Sequence, residues 1–187
     1  GYRPNSIAQS LASNRSNCVG VLVSELHGPI FGDMLGTIEG ELRRAGKFAI
    51  FAAGHNEVEK EREGIRFLTS RNCDALILHV EALPGAFFLE NRDTLLPFVL
   101  VNRDEEGLQH NCIKLDNELG GYLATRSLLE LGHRRIGYVA GPLAWGDAKA
   151  RLAGHHRALR EFDVTPEERL VVEGNYMESG GRAGTLR

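Results

Sequence analysis

The sequence predicts an α/β fold with a parallel, doubly wound sheet. From residue 17 onward, short apolar runs rich in Val, Ile, Leu and Phe alternate with amphipathic stretches, and the order strand, helix, strand repeats along the chain. Nearly continuous apolar runs of this length are typical of strands covered on both faces. The predicted strands lie at residues 18–24, 48–53, 74–80, 97–102, 112–116, 135–141 and 170–174.

Apolar residues three or four positions apart predict helices between several of these strands. In the first helix, Gly46 follows the last apolar residue, at a position that favours a left-handed helix stop. The four predicted apolar stripes are Phe31, Leu35, Ile38, Leu42 and Ala45; Val58, Ile65 and Leu68; Leu119, Leu123 and Leu128; and Ala148, Leu152, His155, Leu159 and Phe162.

The connection before the fifth predicted strand, "RDEEGLQHN", is shorter than the dozen or so residues that a crossover helix needs. We therefore expect the chain to leave its first sheet here, with a domain boundary near residues 116 and 117. The predicted division is a linker segment at 1–16, a first lobe at 17–116 and a second lobe from 117 to 187. Two strands cannot bury a core of their own, so the second lobe is expected to be truncated.

Composition excludes several functional classes. A formal net charge of −3 over 187 residues provides no overall basic field, so any contact with nucleic acid must be local. The three cysteines form no C-x-x-C pair, which favours reduced thiols in a cytoplasmic protein. No apolar run approaches the ~20 residues of a membrane span and no signal peptide opens the chain, so we expect no membrane partner.

A small ligand is expected beyond the carboxyl ends of the strands, where ligands bind in open α/β sheets. Hydrogen-bonding side chains and flat apolar faces collect at these positions, and this mixture suits a polyhydroxylated molecule such as a sugar. The side chains that could contribute are Phe31, His79, Asn102, Arg103, Asp116, Trp145, Asp147 and Arg151.

Several of these positions also have a purely structural interpretation. Arg103 is either a ligand contact or an ion-pair partner of Glu105 or Glu106. Trp145, the only tryptophan, lies either in a pocket or on the surface. Asn117 is predicted as a helix cap rather than a ligand contact, because Asn at the end of a strand often caps the next helix.

Signals for catalysis are weak. The stretch "GPLAWGDAK" has the G-x-x-x-x-G spacing of a phosphate-binding loop, but Asp147 replaces the lysine and Ala148 the Ser or Thr, and a carboxylate there would repel phosphate. His133, His155 and His156 lack the spacing of metal ligands, and His155 is predicted to pack in the core. We expect neither an enzyme, nor a cofactor, nor a metal site.

Seven segments along the chain carry a family resemblance. They are "GYRPNSIAQSLASNRSN", "HGPIFGDMLGTIEGELRRAG", "CDALIL", "VLVNR", "DNELGG", "LLELGHRRIGYVAGP" and "ARLAGHHRAL". In this order and spacing the chain resembles the lactose-repressor (LacI/GalR) family of bacterial transcription regulators. The resemblance implies a two-lobed, periplasmic-binding-protein-like effector domain with a helix-turn-helix head upstream. It also implies a homodimer that binds operator DNA in response to a small sugar-like effector in the interlobe cleft.

The resemblance also implies particular effector contacts. Gly28 and Ile30 depart from the family's "NPFF"-like run, so the sugar preference does not carry over. The resemblance implies contacts by Phe31, His79, Asn102, Arg103, Asp147 and Arg151, and Trp145 joins the predicted effector-binding set from its place at a strand end.

The segment before the first strand resembles the family's hinge helix. Ile7 and Leu11 share one face with the small Ala8, but seven to nine residues are too few to form a stable helix alone. The resemblance implies that this segment orders on DNA, with Leu11 wedged into the minor groove.

Two other classes of protein remain. A periplasmic-type sugar-binding protein shares the fold but would need a signal peptide upstream, and a sugar-modifying enzyme would need an acid/base pair that the strand ends do not supply. The resemblance therefore implies a ligand-responsive DNA-binding regulator, and we expect a repressor.

Overall fold

The computed structural model describes residues 15–186, which divide into two compact units between Lys114 and Leu115. The first unit contains β1 (Cys18–Val23), α1 (Pro29–Arg44), β2 (Phe48–Ala53), α2 (Val58–Ser70), β3 (Ala75–Leu78), α3 (Gly85–Asn91), β4 (Phe98–Val101), a 3-10 turn (Gln109–Asn111) and β5 (Cys112–Ile113). The second contains α4 (Asn117–Glu130), β6 (Tyr138–Ala140), α5 (Gly146–Glu161), a 3-10 turn (Glu168–Leu170), β7 (Val171–Glu173) and α6 (Glu178–Thr185). Across the described residues, every helix is too short or too polar to cross a lipid bilayer.

The first unit is built on a five-stranded parallel sheet in the order β2-β1-β3-β4-β5. Chain order and sheet order differ because helices cross over between parallel neighbours. Each observed strand lies inside a predicted apolar run, and the predicted α/β class with a parallel sheet is confirmed. The interpretation of the two units as lobes of an effector domain, with a hinge at 1–16, stays a prediction.

The expected departure from the first sheet at the fifth strand is wrong. β5 pairs in parallel with β4, with Leu100 opposite Cys112 and Val101 opposite Ile113. A two-residue strand requires the chain to travel back only about 7 Å, so a compact connection with a 3-10 turn replaces a helix. Leu108 in this connection is buried, and the Asn111 side chain donates to the Phe98 carbonyl over 2.8 Å.

Large apolar side chains form the core of the first unit. Leu22, Leu68, Leu76 and Leu100 are fully buried between the sheet and its helices, together with Phe88 from α3. The helix α3 was not among the predicted helices, because its seven residues present too short a stripe for periodicity to detect. The wide sheet therefore encloses a continuous apolar core.

The three cysteines belong to the first unit and form no disulfide. Cys73 is buried, and its burial raises the pKa of the thiol, whereas Cys18 and Cys112 are partly buried. The expected reduced state agrees with this arrangement.

The second unit has a parallel pair of strands, β6 and β7, and a close helix pair, α4 and α5. A Cβ atom at Gly121 would overlap the Arg151 backbone, and one at Gly154 would overlap the Glu118 backbone. The two helices therefore approach each other where both lack a side chain. Tyr122, Leu129 and Leu159 belong to the apolar cluster of this unit.

The predicted apolar face of α4 is wrong. Leu119, Leu123 and Leu128 are 41%, 51% and 40% exposed, and the buried face instead carries Gly121, Tyr122, Thr125 and Leu129. Close packing against α5 selects small side chains, which a search for leucine spacing misses. The glycine–threonine side of the helix therefore faces inward.

Candidate functional site

In the first unit, the end of β1 lies beside the end of β3 because the two strands pair in parallel. Ser24 follows β1 and His79 follows β3, and the Ser24 hydroxyl lies 3.4 Å from His79 Nδ1. The ring of Phe31, near the start of α1, contacts the His79 ring edge to face, with 5.4 Å between centroids and 88° between planes. The structure thus brings two predicted site residues together and adds Ser24, which the sequence reasoning missed.

Asn102 and Arg103 follow β4. The backbone of Asn102 has a left-handed φ of 60°, and its N–H donates to the Ile113 carbonyl over 2.7 Å, which fixes the turn. The guanidinium of Arg103 forms an ion pair with Glu105 and is only 13% exposed. It also donates to the carbonyls of Leu83 and Val80 over 2.7 and 3.2 Å. The ion-pair interpretation of Arg103 is therefore confirmed, and its contact with an effector stays a prediction.

A buried carboxylate holds the loop that follows β3. Glu61 on α2 accepts hydrogen bonds from the backbone N–H groups of Glu81, Ala82 and Leu83 at 2.7 to 3.2 Å. Arg103 binds the carbonyls of the same loop, so opposite charges restrain it from two sides. Sequence reasoning missed Glu61, although its place on the stripe of Ile65 and Leu68 was a signal.

Acidic character collects at the end of β1. The Glu25 carboxylate lies between two imidazoles, with Oε1 3.2 Å from His55 Nδ1 and Oε2 3.5 Å from His27 Nδ1. Both imidazoles are exposed and their pairing depends on protonation. When these histidines are neutral, Glu25 leaves a negative charge at this edge of the sheet.

In the second unit, three predicted site residues meet a tyrosine at the ends of β6 and β7. Arg151 Nη2 lies 3.1 Å from Asp147 Oδ2, and Arg151 Nη1 donates to the Tyr176 hydroxyl over 3.0 Å. The Tyr176 hydroxyl donates to Asp147 Oδ2 over 3.0 Å, and its ring lies 5.7 Å from the ring of Trp145. The guanidinium of Arg151 also lies over the Tyr176 ring at 5.4 Å.

Tyr176 is the member of this candidate site that the sequence reasoning missed. It follows the seventh strand, so the same strand-end rule that selected the other candidates would have found it. Partial burial and the neighbouring Asp147 carboxylate raise the pKa of Tyr176 above its ordinary value, against the opposing effect of Arg151. The phenol therefore stays protonated and acts as a donor. Trp145 is partly buried and its ring faces the ring of Tyr176, and its role in a pocket stays a prediction.

The predicted cap role of Asn117 is wrong. Asp116 is the N-cap of α4, where its Oδ1 accepts from the Leu119 N–H over 2.9 Å. Asn117 is the first residue of the helix, and its side-chain oxygen accepts from Arg151 Nε over 2.8 Å. The helix thus begins one residue earlier than a cap at Asn117 requires, and a carboxylate at the N-cap also interacts favourably with the helix dipole.

His155 is buried, as predicted for a core residue. Its Nδ1 lies 2.8 Å from the Thr125 hydroxyl, and its ring stacks on Tyr138 with 4.6 Å between centroids. Burial lowers the pKa of His155 to about 4, with a smaller contribution from His156. The imidazole is therefore neutral and structural at pH 7. Among residues 15–186, no three His, Cys, Asp or Glu side chains form a group that could hold a metal ion.

Taken separately, each unit presents aromatic and hydrogen-bonding side chains at the carboxyl ends of parallel strands. This arrangement is typical of the class of α/β ligand-binding modules. Residues 16–181 match the family model of periplasmic binding proteins and the sugar-binding domain of the LacI family. The chain belongs to this family.

Relatives agree with this assignment. The HTH-type transcriptional regulator GalR of Escherichia coli is 36% identical over 96% of this chain and 52% of its own length. The HTH-type transcriptional repressor PurR of Edwardsiella ictaluri is 30% identical over 96% of this chain and 53% of its own length. The chain thus spans about half the length of the curated relatives it matches.

Solved structures give the same fold. A transcriptional regulator of the LacI family from Burkholderia phymatum is 28% identical and superposes with a TM-score of 0.81, over 91% of this chain and 63% of its own. The predicted family and periplasmic-binding-protein-like fold are confirmed. The predicted hinge residues Ile7, Ala8 and Leu11 lie outside the described residues.

Proposed function

We propose that this chain is the effector-binding part of a ligand-responsive, DNA-binding transcription regulator, and that the regulator is a repressor. The observation that carries the proposal is the family match over residues 16–181, together with relatives that are named HTH-type transcriptional regulators. Residues 17–116 would form one lobe and residues 117–187 would belong to the other, with 1–16 as the hinge.

The proposed effector is a small sugar or sugar derivative. In the first unit the Phe31 and His79 rings offer flat faces for C–H groups, and Asn102 and Arg103 offer polar groups. In the second unit the Trp145 ring and the Asp147, Arg151 and Tyr176 group offer the same combination. A sugar needs both kinds of contact, because its hydroxyls require donors and acceptors while its C–H face stacks on rings.

The proposed partners follow from the family. Operator DNA would be bound by a helix-turn-helix head and by the hinge at Ile7, Ala8 and Leu11, and the regulator would act as a cytoplasmic homodimer without a cofactor or metal. The role is binding rather than catalysis. An effector can change operator affinity only by its differential affinity for two states of the regulator.

The test uses the intact protein and an operator selected from random DNA fragments. Operator affinity is measured by fluorescence anisotropy while sugars are titrated, and we expect at least one sugar to change the dissociation constant by tenfold or more. Arg151→Ala should abolish this response while operator binding without sugar persists. The matched control is Arg157→Ala, an exposed arginine on the same helix that pairs with Glu118.

Two results would contradict the proposal. If the intact protein binds sugars but selects no DNA, the periplasmic-type sugar-binding protein is the better assignment. If it selects DNA but no sugar alters its affinity, the effector function fails.

A further inference from the structure

We infer that the effector is uncharged, and that this protein discriminates against phosphorylated and other anionic sugars. The inference rests on the proposed function and narrows it. Its basis is that the groups able to bind an anion in each candidate site are already matched by carboxylates of the chain itself. The second unit carries the stronger argument.

Arg151, the cation of the candidate site in the second unit, is neutralised by the groups that surround it. All three nitrogens of Arg151 are engaged, Nε with Asn117, Nη1 with the Tyr176 hydroxyl and Nη2 with Asp147. The carboxylate of Asp147 is only 8% exposed and lies 3.1 Å from the guanidinium. The pair contributes no net charge toward a ligand.

Tyr176 extends this balance without adding charge. Its hydroxyl accepts from Arg151 and donates to Asp147, each over 3.0 Å. Because the phenol stays protonated, Tyr176 adds no charge of its own to the pair of Arg151 and Asp147. Such a surface favours a neutral polyol over an anion.

The phosphate-loop-like segment is occupied by carboxylates as well. The Leu143 N–H, inside the G-x-x-x-x-G stretch, donates to Glu173 Oε1 over 2.7 Å. At the start of α5, the Ala148 N–H donates to Asp147 Oδ1 over 2.7 Å. Backbone N–H groups of a loop and a helix start would otherwise be the natural binding points of a phosphate. Two carboxylates stand there instead.

The next basic residue along α5 after Asp147 is Lys149. Lys149 is exposed and lies about 200° around α5 from Asp147, on the far side of the helix. With Asp147 and Glu173 against Arg151, the group carries one more negative than positive charge. A dianionic phosphate would meet repulsion rather than a partner.

The first unit has the same character. Arg103 is paired with Glu105 and donates to two backbone carbonyls, so its charge is matched. Glu25 adds a carboxylate at the end of β1, beside the histidines His27 and His55. Each unit, considered alone, offers hydrogen bonds without a surplus of positive charge.

The experiment measures matched pairs of ligands by isothermal titration calorimetry on the intact protein. The pairs are glucose and glucose 6-phosphate, galactose and galactose 1-phosphate, and fructose and fructose 1-phosphate. We expect the neutral member of the bound pair to bind at least tenfold more tightly than its phosphate. We also expect the double variant Asp147→Asn/Glu173→Gln to strengthen phosphate binding at least tenfold relative to the neutral sugar.

The control is Glu130→Gln/Glu168→Gln, which removes the same charge from exposed positions of the second unit and should leave the ratio unchanged. A phosphate that binds as tightly as its neutral partner would overturn the inference and leave the proposed function standing. A double variant without a gain in phosphate affinity would also overturn it. If no member of any pair binds, the proposed sugar-binding function itself fails.

Discussion

The two units build parallel α/β structure by different means. In the first, five strands present a wide surface on which leucine and phenylalanine side chains form the core. In the second, the helices α4 and α5 approach each other at Gly121 and Gly154, where a side chain on either helix would overlap the backbone of the other. Packing thus depends on the size of the side chains in the first unit and on the absence of a side chain at this helix contact in the second.

Each unit also buries hydrogen-bonded polar side chains, Ser24 and Glu61 in the first and Thr125 and His155 in the second. The first buries the Glu61 carboxylate, which binds three backbone N–H groups, and the second buries the neutral His155, bonded to Thr125. Mutation should therefore cost most at the buried carboxylate of the first unit, whereas the buried imidazole of the second unit should respond to acid.

The largest effect is expected for Glu61→Ala in the first unit. The change leaves three N–H groups of residues 81–83 without their acceptor and opens a cavity, which should lower the free energy of unfolding by roughly 3–5 kcal/mol. Chemical denaturation measures the loss, and hydrogen exchange should show it in amides of the first unit. The control is Glu59→Ala, at an exposed position on the same helix. Equal losses of stability in the two variants would show that the bonds of Glu61 to residues 81–83 do not stabilise the unit.

Adjacent glycines test the second unit. Gly121→Ala places a methyl group against the Arg151 backbone and should cost about 3 kcal/mol, because backbone cannot move aside as a side chain can. Gly120→Ala meets no atom within 4 Å and should stabilise α4 by up to ~1 kcal/mol. Thermal unfolding monitored by circular dichroism separates the two. Similar melting temperatures for both variants would show that helix contact does not support this unit.

Sequence patterns predicted much of the first unit because its strands are buried apolar runs. The runs 18–24 and 48–53 contain β1 and β2, and the stop at Gly46 coincides with a left-handed φ of 70°. The fifth strand was misjudged, since a rule on connection length does not anticipate a two-residue strand. Local periodicity therefore predicts secondary structure where the buried side chains are the large apolar ones.

In the second unit the same reasoning failed at α4. Leucine spacing selected Leu119 and Leu123, which are exposed, because the partner helix demands small residues and no local signal reveals that partner. For the candidate site, the strand-end rule identifies Asp147 and Arg151. The same rule identifies Tyr176 when it is applied to the end of the seventh strand. The charge balance of the site depends on pairings such as Leu143 with Glu173, which join residues thirty positions apart and cannot be derived from spacing.

The response to acid should come from the second unit. The pKa of His155 is about 4 in the folded chain and 6.5 ordinarily, so its contribution to stability is complete above pH 6.5 and declines as the pH falls toward 4. At pH 5 the loss is about 2 kcal/mol. Burial lowers the pKa of His156 as well, which acts in the same direction.

Denaturation of wild type and His155→Phe between pH 4 and 7 measures this loss. At pH 7 the variant should be less stable than wild type, because phenylalanine cannot bond to Thr125. As the pH falls, however, the free energy of unfolding should decrease less steeply in the variant. His133→Gln, at an exposed position, should keep the slope of wild type. In the first unit, the described histidines are exposed or only partly buried, so its exchange rates should change little over this range. If the free energy of unfolding of His155→Phe depends on pH as steeply as that of wild type, His155 does not cause the acid response.

The smallest change in the free energy of unfolding is expected at the first residues of the helices, where the two units differ in capping. Asp116 caps α4 through the Leu119 N–H, whereas Glu57 at the start of α2 makes no side-chain cap bond. Asp116→Ala should therefore cost about 1 kcal/mol and Asp116→Asn only a small part of it, because asparagine can accept the same bond. Glu57→Ala should change the free energy of unfolding by less than ~0.5 kcal/mol. If Glu57→Ala costs as much as Asp116→Ala, the cap does not distinguish the units, and the stability of α4 derives from its contact with α5 alone.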